Sequence, residues 1–492
     1  MFDSLGRFFG DSWLVRAFSA DYDSSRLRHS YFVQLIEHAL NRFPKFLAPP
    51  SELNSDFATV SAINTDSSPK ILQSSAIVLG LANAMETPMP QPKFLECLKW
   101  FGAAFPTWGL LMVLIASPFL PTMILAGILV VVFGVALFRH HFELDLTAVM
   151  LLLFVAVTLF SGYTSLAPAF SIPIAVLTTV LMSSYLLVRT CFQGRKQIDF
   201  VLGAFVASAA VTALVGVYQI FIGYVNMTWT DQDLFAALQL RVYSTFANPN
   251  VYGTYLLLAI PVAAALVFYA KRPILKLCAL GATGLLLIIL LLTYSRGCYL
   301  ALAFAVLVFV LLIDRRMIVL FVAGLVAMPF VLPASVMNRF LSIVNFADTS
   351  TVYRLAIYQG SLRILGDFWM AGIGQGEHAF NAVYPFYALS AATAAWHSHN
   401  LFMQVFLETG IVGFVLFMGM LAAFFRTQFS FMRKVTDLRH KIISAAMTAA
   451  VVGFLFQGIF DHAFYNYRVM LVFFMFMGIG NSFAACKEEG KI

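Results

Sequence analysis

The chain has 492 residues, of which 61% are hydrophobic and only 11% are charged. Soluble domains carry about 25% charged residues, so this composition excludes a soluble globular protein. It indicates a protein whose surface faces the lipid bilayer. The formal net charge is +7. The basic residues lie mainly on loops between apolar segments, and we therefore expect no nucleic-acid partner.

The first hundred residues differ from the rest of the chain. They are polar, have mixed charge and contain a proline-rich stretch at residues 88–92. They lack the basic start, apolar core and small-residue cleavage site of a signal peptide. We assign residues 1–100 to a polar cytoplasmic segment and expect the first membrane helix to act as the insertion signal.

Twelve mostly apolar segments follow, each near the roughly 20 residues that span a hydrocarbon core of about 30 Å. They are residues 101–120, 121–138, 146–161, 168–188, 198–223, 250–270, 274–294, 297–313, 317–332, 401–425, 441–460 and 467–484. The segments are continuous, whereas a membrane β-barrel has alternating segments of about ten residues. This pattern predicts an all-α, polytopic membrane domain at residues 101–484 with about 12 transmembrane helices.

The basic clusters at residues 189–196, 271–276, 315–316 and 426–441 fall on alternate loops. The positive-inside rule places these loops in the cytoplasm. Both termini, including a short tail at residues 485–492, are then cytoplasmic. The segment from about residue 333 to residue 400, between the ninth and tenth helices, becomes a large outward loop.

The basic residues left on the outward side are all arginine. They are Arg241, Arg296, Arg339, Arg354, Arg363 and Arg468. A guanidinium is always charged and its planar fork of donors matches phosphate oxygens, whereas an ammonium is a more strongly hydrated point charge. Each arginine taken singly is either a phosphate ligand or a loop and interface anchor.

The large outward loop combines aromatic residues with a glycine-rich turn at residues 372–376. Trp369, Trp396 and several tyrosines accompany this turn, a mixture that can form a small helical cap over a membrane site. Flat aromatic faces beside polar groups suit sugar rings, but Trp and Tyr also populate membrane interfaces. The composition alone leaves both interpretations open.

The strongest cluster of ionisable residues lies where the tenth helix is expected to begin. It runs from His397 to Asn400 and continues with Gln404 and Glu408, which share one helix face. Ionisable groups near membrane helix ends usually face a cavity or a partner. The alternative is a pair of interface histidines and a neutral, structural Glu408.

Further polar residues adjoin the outward helix ends. Asn248 and Asn250 are candidate caps for the sixth helix, where free N–H groups would face an anion. Asp461, His462 and Arg468 crowd the last outward turn. The five cysteines have no metal-ligand spacing, and we expect neither a disulfide framework nor a metal site.

Four motifs in this order resemble the O-antigen ligase and polymerase superfamily over roughly residues 198–484. They are Arg241 with Phe246-Ala247-Asn248-Pro249-Asn250, then Thr293-Tyr294-Ser295-Arg296-Gly297, then Gly372-Ile373-Gly374-Gln375-Gly376, and His399-Asn400 with Glu408-Thr409-Gly410-Ile411-Val412-Gly413. The resemblance implies a metal-independent membrane glycosyltransferase without a cofactor. Such an enzyme takes a glycan from undecaprenyl diphosphate and passes it to an acceptor hydroxyl on the outer face of the membrane.

The resemblance also assigns roles to residues. Arg241 and Arg296 would stabilise the charge that develops as the diphosphate departs, and His399 would act as the general base. Attack opposite the diphosphate would invert the anomeric centre. The substrate-binding residues that we expect are Asn248, Asn250, His397, Asn400, Glu408, Arg354 and Arg363.

The expected partners are the undecaprenyl-diphosphate-linked donor, a glycan, lipid or protein acceptor, and membrane lipids. A ligase acting on lipid A-core, a repeat-unit polymerase and a protein O-oligosaccharyltransferase share this donor chemistry and remain alternatives. A small-solute or bicarbonate transporter is the alternative from another class, but we find no internal repeat of the kind transporters often have. The expected location is the bacterial cytoplasmic membrane, with a role in cell-envelope polysaccharide biosynthesis.

Overall fold

The computed structural model describes Gln34 and residues 92–223, 241–342 and 349–486. Most of the expected N-terminal segment lies outside this part of the chain. So do residues 224–240 of an outward loop and residues 487–492 of the expected cytoplasmic tail.

The described residues form fifteen α-helices and no β-strand, which confirms the all-α fold class. Short 3-10 turns lie at Arg315–Met317, Tyr384–Phe386 and Ala463–Tyr465. The helices, in chain order, are α1 (Pro92–Ala116), α2 (Thr122–Arg139), α3 (Leu146–Tyr163), α4 (Pro168–Cys191), α5 (Arg195–Phe221), α6 (Pro249–Tyr269), α7 (Pro273–Leu292), α8 (Arg296–Ile313), α9 (Ile318–Val331), α10 (Ala334–Leu341), α11 (Thr349–Phe368), α12 (Glu377–Val383), α13 (Leu401–Lys434), α14 (Leu438–Gln457) and α15 (Tyr467–Ala485).

Nine of these described helices, α3 to α8 and α13 to α15, are long and apolar enough to cross a membrane. Helices α1 and α2 contain shorter apolar stretches, and α9 has 14 residues. Together the twelve helices coincide with the twelve predicted segments. The chain is therefore a multi-pass membrane protein.

The centre of the bundle is formed by α6, α14 and α15, which are the most buried of the candidate spans. Helix α6 packs against α14 and α7, α15 packs against α4, and α13 packs against α3. Small residues allow close approach of backbones: Gly453 of α14 lies against Ala301 and Ala305 of α8. Such contacts are typical of helix packing in lipid, where van der Waals contact rather than water exclusion holds helices together.

Residues 333–400, which we call the cap, contain α10, α11 and α12. Side chains of α11, of α12 and of the turns that follow them form a separate small core that includes Ile357, Ile364, Phe380 and Tyr384. Leu407 of α13 belongs to the same core. The cap is therefore packed directly onto a membrane helix.

Helix α13 is broken at Gly410, which has φ 67° and ψ −171°. The break exposes backbone groups that the cap satisfies. Leu407 O accepts from Ile373 N at 2.7 Å, and Ile411 N donates to Trp369 O at 2.8 Å. The expected continuous tenth helix is thus two segments joined by a kink against which the cap docks.

Candidate active site

A cavity of about 740 Å³ lies between the cap and the ends of the membrane helices. Four helices begin at this cavity. The lining includes Asn250 from the start of α6, Arg296 from the start of α8, Tyr467 from the start of α15 and Gln404 from the first turn of α13. A helix N-terminus carries a partial positive charge of roughly half an elementary charge and free N–H groups. Four such ends around one cavity favour an anionic ligand.

Most of the predicted site residues meet at this cavity. The lining includes Arg241, Arg296, His399, Asn248, Asn250, His397, Glu408 and Arg354. Asn400 does not line it but caps α13, where its Oδ1 accepts from Met403 N at 2.9 Å. Arg363 is an exposed residue of α11 that does not line the cavity.

Arg241 is held between the start of α6 and the α7–α8 turn. Its Nε donates to Thr293 O at 2.9 Å, and one terminal nitrogen donates to Asn250 Oδ1 at 3.1 Å. Burial, aided by the neighbouring Arg339, lowers the pKa of Arg241 to about 9. The guanidinium therefore remains cationic at neutral pH.

Three further arginines join it, and each donates to a backbone carbonyl. Arg296 donates to Ser342 O at 3.3 Å, Arg339 to Tyr294 O at 3.1 Å, and Arg354 to Phe460 O at 3.1 Å. These bonds position the side chains without adding negative charge. Arg339 was not among the predicted site residues, although its place on the outward loop was the available signal.

The sixth outward arginine has another role. Arg468 lies outside the cavity lining and donates to Pro118 O and Thr245 O, both at 2.9 Å. Its guanidinium also lies 5.0 Å from the centroid of the Phe246 ring. Arg468 thus ties α15 to the α1–α2 turn and to the segment that leads into α6.

His399 pairs with Asp461, whose side chain is only 6% exposed. The His399 Nδ1 and Asp461 Oδ1 atoms are 3.3 Å apart. Burial raises the pKa of Asp461, but the hydrogen bond with His399 and the nearby charge of Arg354 outweigh burial and hold this pKa below the usual range. The carboxylate is therefore ionised. The site-residue prediction missed Asp461, for which the crowded last turn was the only signal.

His397 lies beside this pair. Its Nδ1 accepts from His399 N at 3.2 Å, and its ring stacks on Tyr465 with the centroids 4.9 Å apart. Burial and the neighbouring His399 lower the pKa of His397 to about 4. His397 is consequently neutral at neutral pH and behaves as a fixed polar wall.

The backbone is strained at several points around the cavity. Among the described residues, the non-glycine residues with positive φ are Ser244, Ala247, Tyr294 and His399. They precede α6, α8 and α13, whose first turns carry cavity residues. Such conformations cost about 1–3 kcal/mol each and tend to cluster at functional sites.

The helix caps differ between the two ends of the bundle. At the cavity end, α6, α13 and α15 are capped by Asn248, Asn400 and Asn466. At the opposite end, α3 and α14 are capped by Asp145 and Asp437. An aspartate cap would partly cancel the positive helix end. The neutral asparagines leave that charge available to an anion.

Glu408 contributes a carboxyl group to another part of the lining. Its Oε1 accepts from Gln404 Nε2 at 2.9 Å and from Gly376 N at 3.2 Å. Gln404 in turn accepts from Ser398 N at 2.8 Å. This chain of hydrogen bonds connects the glycine-rich turn of the cap to the segment that contains His397 and His399. It therefore fixes the distance between these two parts of the cavity lining.

One set of side chains in the cavity lies close enough together to hold a metal ion. A donor atom from each of His397, His399 and Asp461 lies within 4.8 Å of the other two. Imidazole and carboxylate groups are common ligands of zinc and related cations. The expectation of no metal site came from the cysteine spacing and from the family resemblance, and neither considered these three residues.

Residues 281–418 match the O-antigen ligase family model. This range runs from α7 into α13 and contains three of the four motifs, including Arg296, the glycine-rich turn and His399. The match confirms the resemblance to the O-antigen ligase superfamily and supports a membrane glycosyltransferase of the ligase or polymerase type. No curated protein matches the chain.

Proposed function

We propose that the chain is a glycosyltransferase of the O-antigen ligase type, transferring a glycan from undecaprenyl diphosphate to an acceptor hydroxyl. The supporting observation is one cavity that contains four arginines together with the His399–Asp461 pair. The arginines suit a diphosphate, and the histidine suits removal of a proton from a hydroxyl.

Arg241 and Arg296 bind the diphosphate in this proposal, with Arg339 and Arg354 nearby. Breaking the glycosidic phosphate bond concentrates negative charge on the departing diphosphate. Guanidinium groups held in place before the reaction stabilise that charge without reorganising. Asn248 and Asn250 place the N-terminus of α6 beside the same charge.

His399 accepts the proton of the acceptor hydroxyl through Nε2. Asp461 accepts a hydrogen bond from Nδ1–H and thereby selects the tautomer with a lone pair on Nε2. The deprotonated oxygen attacks the anomeric carbon from the side opposite the diphosphate, and the glycosidic bond forms with inversion. The proton stays on His399 until solvent or the leaving group removes it.

The acceptor contacts the remaining walls of the cavity. Trp396 offers an aromatic face to a sugar ring, and Glu408 and His397 offer hydrogen-bond acceptors. Lipid A-core is the acceptor of the proposed ligase. A growing polysaccharide or a protein hydroxyl would use the same chemistry, as in a polymerase or a protein O-oligosaccharyltransferase.

The proposed setting is the bacterial cytoplasmic membrane, with the cavity facing outward and both termini inside. The mechanism needs no cofactor or metal, because the arginines replace a divalent cation at the diphosphate. The large basic clusters on alternate loops support this orientation.

The test uses the purified full chain with a lipid-linked glycan donor. Arg296→Ala and His399→Ala should abolish transfer while membrane insertion and elution as a monodisperse species remain normal. Arg363→Ala is the matched control because Arg363 is exposed and does not line the cavity. Wild-type transfer by both cavity variants would overturn the site assignment. In cells, deletion of the gene should cause the lipid-linked donor to accumulate while its acceptor stays unmodified.

A further inference from the structure

Three side chains in the cavity converge closely enough to share a cation. His397, His399 and Asp461 each present a donor atom within 4.8 Å of the other two. Two imidazoles and a carboxylate match the ligand set of Zn²⁺ and similar divalent transition cations better than that of Mg²⁺ or Ca²⁺, which prefer oxygen.

The spacing within the His399–Asp461 pair fits a shared cation. Nδ1 and Oδ1 are 3.3 Å apart. Hydrogen bonds between charged groups usually span about 2.7–2.9 Å. Two donors on a tetrahedral zinc ion, with bonds of about 2.0 Å, lie about 3.3 Å apart. The pair is therefore wider than a tight ion pair and suits two ligands of one tetrahedral ion.

A neighbouring histidine supplies an independent observation. His462 lines the same cavity, is only 7% exposed, and its ring lies 5.5 Å from that of His397. Its buried Nδ1 has no hydrogen-bond partner among the described residues. Buried polar atoms are normally satisfied, so this nitrogen beside the cluster is available to an additional ligand.

We propose that His397, His399 and Asp461 form an inhibitory binding site for Zn²⁺ or a cation of the same class. Neutral imidazoles bind such cations through a ring lone pair. The remaining positions on the metal are filled by water or by His462 after a side-chain rotation. The cation is not a cofactor of the transfer reaction.

The inhibition rests on the proposed function of His399. A cation between His399 and Asp461 takes the Nδ1 lone pair, and the proton that Nδ1 carried moves to Nε2. No proton is gained or lost by the ring. Nε2 then has no lone pair for the acceptor hydroxyl, so the general base is blocked while the arginines still hold the donor.

Metal binding can be measured without any activity. Chelator-treated full-length protein in detergent is titrated with Co²⁺, whose visible d–d absorption reports four- or five-coordinate binding. We expect about one ion per chain, displaced by Zn²⁺. His397→Ala and Asp461→Asn should weaken binding by at least about tenfold. His378→Ala is the matched control, because His378 lies on the cap and does not line the cavity. Absence of the absorption, or equal binding by His397→Ala, would overturn the proposal.

A second experiment separates this proposal from the proposed function. Transfer by the wild type is measured against free Zn²⁺, and EDTA is then added. We expect inhibition that EDTA reverses, with His378→Ala behaving as the wild type. If Co²⁺ binds in the cavity but Zn²⁺ leaves the rate of transfer unchanged, both the inhibitory role and the assignment of His399 as base are overturned. Loss of transfer on chelation alone would identify a cofactor instead and would also overturn the inhibitory role.

Discussion

His399 Nδ1 lies 3.3 Å from Asp461 Oδ1, although the two residues are 62 positions apart in the chain. Helices α13 and α14 cause this proximity, because α13 leads away from the cavity and α14 returns to it. The hydrogen bond from Leu401 N to Gly458 O, at 2.6 Å, ties the start of α13 to the end of α14. His399 and Asp461 are therefore held by the same helical hairpin.

Replacement of Asp461 tests this pair. In the structure, His462 N donates to Asp461 Oδ1 at 3.0 Å. Asp461→Asn keeps the size of the side chain and an oxygen that can accept this hydrogen bond. It removes the charge that selects the His399 tautomer, so kcat should fall by about 10²–10⁴-fold, the usual contribution of acid–base catalysis. Steady-state kinetics should show a much smaller change in the donor KM. A wild-type kcat would exclude the positioning role.

Replacement of Arg241 tests the diphosphate assignment. Arg241→Lys keeps the charge but cannot reproduce the bonds from two different nitrogens to Thr293 O and Asn250 Oδ1. We expect kcat to fall by about 10²–10³-fold, as for the loss of one donor to a developing anion. Arg363→Ala should retain transfer. Equal activities of these two variants would contradict the assignment.

The asparagine caps allow an electrostatic test, in which the Tyr465 hydroxyl becomes the donor where Asn248 Nδ2 donates to it at 2.9 Å. Asn248→Asp preserves the acceptor for Asn250 N, so α6 should remain capped. The added negative charge repels the diphosphate. Two unit charges 4 Å apart interact by about 4 kcal/mol at an effective dielectric constant of 20. A repulsion of only a quarter of that energy weakens donor binding about fivefold. The donor KM should rise by this factor or more. Asn466→Asp, at the cap of α15, should raise the donor KM less, because Asn466 does not itself line the cavity; an equal effect in both variants would refute a local cause.

The break in α13 predicts a difference between two glycines. A Cβ on Gly410 would overlap Met370 O, and its φ of 67° is unfavourable for other residues. Gly410→Ala should therefore destabilise the protein by at least about 1–3 kcal/mol and loosen the cap. Gly366 of α11 has open space around its Cβ position, and Gly366→Ala should be neutral or stabilising. Thermal melting of both proteins in detergent gives the comparison, and equal melting temperatures would show that the kink is not required.

Much of the architecture follows from local sequence properties. Each membrane helix must satisfy its own backbone hydrogen bonds in lipid, so a continuous apolar segment suffices to predict it. The twelve predicted segments coincide with described helices for this reason. The break at Gly410 was not predicted, because a lone glycine in an apolar run is compatible with an unbroken helix and the cap backbone that stabilises the kink comes from a distant segment.

From residue type and motif order, the sequence alone also predicted that Arg241, Arg296 and His399 belong to one site, and the structure brings them to one cavity. It did not show that Arg339 and Asp461 share their cavity, or that Asn400 and Arg363 do not line it. Those outcomes depend on how the cap packs onto α13 and on which helix ends meet. Contacts between segments far apart in the chain leave no periodic pattern in the sequence, so only the tertiary structure decided which of the outward polar residues surround the cavity.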